Sequence, residues 1–492
     1  MDAGAGRLRP LLIVALGLLL LGVFPIAAGR PSVYEDTRSY YALGQQFAEQ
    51  VGLAPPGSSL DALHGAVEVE GHGEDPRLAY TVAGSRSPVY AAFLYFTERA
   101  GTAWAVVAVQ AGLMAALIYL VGRRLGVGGA FLPTLGVLAF FSSLPVVANF
   151  LMPDVFIGVA ALGAIYFLCV PRKDPPTAAA VAAALVFAFA VHTSNLLIVA
   201  LATLLGAPLA VWLKGVSVRQ AAVGALIVFA CISAAVGLGA AYRAGVYALK
   251  HERIYNPPFL TARLIGDGPG RTHLRRACAD AAPYLLCRFK HARMATEEDV
   301  MWSDDPATGA FQLADYDTRV GIVREQTRFV LGTLREDPLG VIAAGLKNTA
   351  TLLSKFSVDE NYLDPTVYYM TPEHAVLWRI TPGGEACLAQ PGRCRPRASL
   401  ALLDALVLAG VVGGLAAIVL LFGQVARRQP GIAAAAALAV LIVVINAAVC
   451  GALSGPANRY QARVTWLLPM AGAWMVYAIW RRPAGAPATT PG

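Results

Sequence analysis

Charged side chains are scarce in this sequence: Asp, Glu, Lys and Arg make up 14% of the 492 residues, while 57% are hydrophobic. Ordinary soluble domains carry about 25% charge, so the shortage excludes a typical soluble enzyme and places the chain among multi-pass membrane proteins. The formal charge of +8 arrives largely as pairs of Lys and Arg at the ends of apolar runs. It forms no cluster on a soluble face, which argues against a nucleic-acid partner. No Walker loop, dinucleotide fingerprint, His-Glu-x-x-His pair or internal repeat occurs. Soluble nucleotide chemistry therefore has no support.

Apolar runs are what the sequence has in abundance. A helix rises about 1.5 Å per residue, so crossing ~30 Å of hydrocarbon takes roughly 20 apolar residues. Ten runs qualify, at 10–28, 103–122, 129–147, 154–170, 177–191, 195–213, 220–242, 400–423, 432–454 and 464–480. With the N-terminus inside, the inner loops hold Arg7 and Arg9, Arg123 and Arg124, Arg172 and Lys173, Lys214 and Arg219, Arg427 and Arg428, then Arg481 and Arg482. Only Asp2 and Asp174 oppose them. That distribution satisfies the positive-inside rule and predicts both termini on the inner side. Joining the fifth and sixth runs across "FAFAVHTSNLLIVA" would reverse every later helix and spoil it. The first run, which ends in "PIAAG", has a cleaved signal peptide as its alternative reading.

The predicted fold is an all-α polytopic membrane protein of about ten transmembrane helices, N-in and C-in. A seven-span module over 1–242 carries a long outer loop at 29–100; a mainly helical outer domain over 243–399 follows, then a three-span module over 400–480 and an inner tail at 481–492. In the first outer loop, "SYYALGQQFAEQ" and "SPVYAAFLYFTERAG" have the spacing of short interfacial helices. In the outer domain, "REQTRFVLGTLREDPLGVIAAGLKNTATLLSKF" reads as two amphipathic helices divided at Asp337-Pro338 and lying on the membrane. An exported domain permits disulfides, and Cys278 with Cys287 and Cys387 with Cys394 make two local pairs. Neither pair has the two-residue spacing of a zinc knuckle. Cys169, Cys231 and Cys450 fall inside spans and read as packing residues.

Ionisable groups near membrane depth are costly, so each has a functional and a structural reading. Asp36, with Glu35 beside it in "SVYEDTRSYYALGQQ", either caps the helix that follows or waits at the outer surface as a general base. Asp154, in "NFLMPDVFIG", either caps the fourth span or lines an outward cavity as a carboxylate. His192 is either a satisfied interfacial histidine or a substrate ligand, and Asn446 reads as an interhelical hydrogen-bonding residue. Arg459 and Arg463 in "GPANRYQARVTWLLP" set two positive charges in an outer loop, against the pattern of the inner loops. Lipid headgroups or the acidic first loop would compensate them; alternatively they hold a phosphate, whose oxygens match a guanidinium. Arg38, Arg86 in "GSRSPVY" and Tyr460 are further candidates for that role.

At these residues the chain resembles the GT-C superfamily of polyprenyl-phosphate-dependent glycosyltransferases. "YEDTRSYYALG" stands where members carry an acidic motif after the first span, and "SRSPVYAAFLYF" is similar to the Arg-x-Pro-x-Tyr-like segment before the second. Asp154 matches the acidic residue before the fourth span, and "NRYQARVTWLLP" looks like the late Arg-Tyr motif. The likeness covers about 1–215 and about 400–480, and the domain between them resembles no characterised family. It implies a bacterial inner-membrane protein with its active face and middle domain in the periplasm. The implied reaction is inverting transfer of a sugar from a polyprenyl-phosphate donor to a lipid, glycan or protein acceptor. Asp36 would act as base, with Glu35 as the alternate, and Arg459 and Arg463 would stabilise the departing phosphate. The acids stand as Glu35-Asp36, the reverse of the Asp-Glu order in protein mannosyltransferases, and no Asp-x-Asp motif accompanies them. A divalent metal cofactor therefore stays open. An O-antigen polymerase or ligase, a transporter and a non-catalytic scaffold are the rival readings. Related halves or charges at mid-span would mark a transporter, and neither is visible.

Overall fold

The computed structural model describes residues 3–53, 86–251, 253–280, 283–361 and 399–480. Among them every regular element is a helix, apart from an isolated β-bridge between Ser32 and Phe150. The first half contains α1 (Ala3–Ala28), α2 (Glu35–Gln50), α3 (Pro88–Ala100), α4 (Ala103–Arg124), α5 (Phe131–Phe141), α6 (Leu144–Ala148), α7 (Phe156–Cys169), α8 (Pro175–Val191), α9 (Thr193–Trp212) and α10 (Val218–Lys250). The second contains α11 (Phe259–Asp267), α12 (Pro269–Asp280), α13 (Glu297–Trp302), α14 (Tyr316–Glu336), α15 (Pro338–Leu353), α16 (Leu400–Arg428), α17 (Pro430–Leu453), α18 (Asn458–Thr465) and α19 (Leu467–Trp480). By length and composition α4, α9, α10, α16 and α17 are able to cross a membrane, and shorter apolar stretches lie at Val14–Ala28, Gly128–Phe141, Pro153–Cys169 and Pro175–Val191. These helices define a membrane-embedded protein.

At the centre stands α7, all of whose side chains from Phe156 to Cys169 are buried. It is hydrophobic all round because α4, α8, α9, α10 and α17 surround it. The run "FAFAVHTSNLLIVA" forms two helices, with an extended residue, His192, between α8 and α9. By contrast the run at 129–147 is not one helix. Ser142 ends α5 by donating its hydroxyl to Leu138 O (2.6 Å) and accepting from Leu144 N–H (3.2 Å), and Pro145 falls in the first turn of α6. The 11 residues of α5 rise only about 17 Å. The seventh run continues as helix to Lys250, and the last begins at Leu467 after the separate helix α18.

Residues 259–336 build a polar domain around a second core that includes Ile265, Leu274, Phe311, Ile322 and Phe329. Cys278 and Cys287 are joined in it by a disulfide; Cys387 and Cys394 lie outside the described residues. The two amphipathic helices divide at Asp337, whose carboxylate caps α15 by accepting Gly340 N–H at 2.8 Å. Both also pack inside the protein. Ile322 and Phe329 sink α14 into the polar domain, while α15 packs on α17 and sends Leu352 into the membrane-helix core. Only one face of α15, with Leu339, Ile342 and Leu346, stays exposed.

The helix that carries Asp36, α2, lies directly on α3. A Cβ at Gly44 would stand 2.2 Å from the Ala91 carbonyl oxygen, so the two backbones approach as only glycine allows. Gly44→Leu is expected to part them and to destabilise the fold by about 1–3 kcal/mol. A thermal melt in detergent checks this, and a midpoint equal to wild type would show that the close approach is dispensable.

Candidate functional site: a buried arginine–carboxylate cluster

Hydrogen bonds between distant segments assemble the cluster. After α1 the chain is laced to the strand-like segment that follows α6: Ser32 N–H donates to Asn149 O (3.0 Å) and Leu151 N–H to Ser32 O (2.8 Å). Asn149 Nδ2 reaches Arg30 O (3.2 Å) and Ser32 Oγ (3.0 Å), and the buried Thr37 hydroxyl donates to Leu151 O (3.2 Å). From α4, Gln110 Nε2 donates to Ala148 O and Phe150 O, both at 3.0 Å. Asp36, in the first turn of α2, is thereby brought beside Asp154 in the 3-10 turn Pro153–Val155. Ser87 accepts Tyr90 N–H to start α3 and donates to Ala190 O at 2.7 Å, which sets Arg86 near the turn that carries His192.

The charges then alternate. Arg86 makes a direct ion pair with Asp36 Oδ1. Arg459 places Nη1 3.9 Å from Asp36 Oδ2 and Nε 3.9 Å from Asp154 Oδ1, and Arg463 Nη1 is 3.8 Å from that same oxygen. The series runs Arg86, Asp36, Arg459, Asp154, Arg463. Side-chain exposure falls along it, from 21% at Arg86 and Asp36 through 11% at Arg459 to 2% at Asp154 and 1% at Arg463. The pairs near 3.9 Å are Coulombic contacts too long to be hydrogen bonds. Accordingly Arg459 Nη1, Arg463 Nη1 and Asp154 Oδ1 are buried with no hydrogen-bond partner. Such groups are rare in folded proteins and call for an explanation.

Flat side chains and amides hold the guanidiniums. Arg459 Cζ lies 4.3 Å from the Tyr34 ring centroid and 5.1 Å from that of Tyr460, and Arg463 Cζ is 5.3 Å from the latter. Asn446 Oδ1 accepts from Arg463 Nε (3.4 Å) and Nη2 (3.2 Å), while its Nδ2 donates to Tyr460 O (2.7 Å). Arg463 Nη2 also donates to Ser194 Oγ (3.2 Å), which meets His192 Nδ1 at 2.9 Å. Burial, reinforced by the Arg463, Arg459 and Arg86 charges, holds His192 well below its ordinary pKa. Because Nδ1 also accepts Ser194 N–H, the neutral ring carries its proton on Nε2. Burial pushes the Tyr34 phenol up to about 12, against the opposing pull of Arg459.

Of the residues singled out in the sequence, Asp36, Asp154, Arg86, His192, Arg459, Tyr460 and Arg463 thus share one neighbourhood. Arg38 sits two positions along α2 from Asp36, about 200° around the helix. Glu35 opens α2, and its side chain lies outside the described residues. Asp36 is not the cap of this helix: Tyr34 occupies that position, and Thr37 Oγ1 accepts Tyr34 N–H. Tyr34, Ser194, and Glu360, which binds the first amides of α18, escaped the sequence reading. Tyrosine and serine carry no local signal there, and the partner of Glu360 is remote in the chain.

Among the described residues no group of three His, Cys, Asp or Glu side chains is placed to hold a metal ion; the two carboxylates turn to arginines. No family model, curated protein or solved structure matches this chain.

Asp154→Ala is expected to leave two buried guanidiniums short of compensation and to cost about 3–5 kcal/mol. Thermal unfolding of the purified variant checks it. An unshifted midpoint would mean that water or lipid already neutralises the arginines.

Proposed function

We propose that the chain is a membrane glycosyltransferase that moves a sugar from a polyprenyl-phosphate donor to a lipid, glycan or protein acceptor on the outer face of the inner membrane. One observation carries the reading: Arg459 and Arg463, from one end of the chain, meet Asp36 and Asp154, from the other, with their Nη1 donors buried and unbonded. Glu360 at the first amides of α18 brings a third carboxylate to the three guanidiniums, so the opening for an anion lies in the unbonded Nη1 donors and not in excess charge. A phosphate would supply the missing acceptors.

This reading keeps the ten-span, N-in topology of the Lys and Arg pairs, with α5 and α6 together making the third crossing, and it turns the cluster outward. The donor phosphate binds at Arg459 and Arg463. Asp36 Oδ2 takes the proton of the acceptor hydroxyl as its oxygen attacks the anomeric carbon. The bond from that carbon to the phosphate oxygen breaks with its electron pair going to the phosphate, whose growing charge falls on the waiting Nη1 donors. Inversion at the sugar follows, and the proton remains on Asp36. Arg86 fixes the other oxygen of the base.

One feature weighs against a transporter. The charged groups sit at helix ends and turns, while α7 presents an unbroken apolar stretch; a transport path would need polar groups carried through the membrane.

Asp36→Asn is expected to lower sugar incorporation by at least roughly 100-fold with the fold intact, measured on purified protein with a panel of polyprenyl-phosphate sugars. Retained activity would remove Asp36 as base. Arg459→Ala should raise KM for the donor by at least roughly tenfold. An unchanged donor dependence would remove the phosphate site.

A further inference from the structure

The helix that carries both site arginines has no cap of its own. Ala457 occupies the N-cap position of α18 with extended backbone, φ −83° and ψ 142°, and no side-chain acceptor. Glu360, from the turn that follows α15, takes that role from far away in sequence. Its Oε1 accepts Asn458 N–H at 2.9 Å and its Oε2 accepts Arg459 N–H at 3.2 Å. Its neighbour Asp359 accepts from Asn458 Nδ2 at 3.0 and 3.1 Å. The turn is itself anchored. Asp404 of α16 accepts the Ser357 hydroxyl (2.8 Å) and Val358 N–H (2.9 Å). Glu360 therefore bridges a fixed bracket to the positive end of α18, where a carboxylate both satisfies orphan amides and opposes the helix dipole.

We infer that Glu360 is a positioning residue, which holds the first turn of α18 so that Arg459 and Arg463 both face Asp154; this rests on the phosphate-binding reading above. Arg459 follows immediately on the amide that Glu360 Oε1 binds, and its own amide is bound by Oε2. If that turn frays, Arg459 leaves its seat between Tyr34 and Tyr460. Arg463, one turn further along and tied to Asn446, moves less.

The test uses the full-length protein in detergent, with farnesyl phosphate as probe and hydrogen exchange of the α18 amides as a ligand-free readout. Glu360→Gln removes the charge and one of two acceptors. It should speed exchange at Asn458 and Arg459 and weaken farnesyl phosphate binding by roughly tenfold, the cost of a lost cap. Ala457→Asp, which places a local cap at the extended N-cap position, should restore the binding and the slow exchange of Arg459 in the Glu360→Gln background, since an N-cap carboxylate reaches the second amide of the helix. A direct contact of Glu360 with the ligand would not be rescued by that second change. Exchange and affinity both equal to wild type in Glu360→Gln overturn the inference, as does faster exchange with unaltered affinity. Should Glu360→Gln fold poorly, the double variant carries the test, since failure of the local cap to restore folding and binding overturns the inference as well. If wild type and Arg459→Ala are equally indifferent to farnesyl phosphate, the phosphate reading fails, and exchange alone then reports whether Glu360 holds the turn.

Discussion

Two guanidinium groups almost wholly removed from water, Arg459 and Arg463, set the terms for everything around them. Arginine keeps its charge at any physiological pH, so burial cannot be relieved by losing a proton. The charge has to be met in place. Asp154, itself 2% exposed, meets both, and Asp36 extends the series to a group in partial contact with solvent. Each member would be costly alone in an apolar protein. Their mutual dependence fits the way the segments at 30–37, 86–90, 148–155, 190–195 and 446–463 are stitched together, by backbone, amide, hydroxyl and guanidinium hydrogen bonds and by the ion pairs themselves.

The polar domain belongs to this arrangement. Arg263 is buried against Asp267 and Glu297, and Asn348 of α15 donates to both oxygens of Asp267, at 2.9 and 3.1 Å. That network presses on the loop between α17 and α18 at Gly455, whose φ is +143° and where a Cβ would stand 2.7 Å from Glu297 Oε1. Only glycine accepts that backbone without strain. The loop leads directly into α18, so a network outside the membrane helices and the Glu360 bracket grip the same short stretch. Domain and site are mechanically continuous.

How much of this was legible depended on whether the signal was local. Apolar run length marked the long helices, and a proline after Asp337 marked the break between α14 and α15, because both act within a few residues. The unity of the run at 129–147 was misread, since Ser142 and Pro145 outweigh an otherwise apolar composition. The charged candidates stood out because charge is rare in this chain. That Asp36 and Arg459 approach within 3.9 Å was visible only as a requirement, two unexplained cations and two unexplained acids. Glu360 was invisible, sitting in a polar stretch where one more carboxylate is unremarkable by composition.

The spacing of the ion pairs bears on how the site works. At 3.8 and 3.9 Å the carboxylates balance the guanidiniums electrostatically yet leave Arg459 Nη1 and Arg463 Nη1 without a hydrogen bond. In the proposed reading an incoming phosphate oxygen gains bonds at those nitrogens without displacing any already made. Little reorganisation is then needed when negative charge develops, which is the condition under which fixed donors favour a transition state over its ground state. The direct pair of Arg86 with Asp36 is different in kind. It occupies one oxygen of the acid and leaves the other toward Arg459, so under the proposed function the ion-pair pattern selects which oxygen is turned to the phosphate and available to a proton beside it.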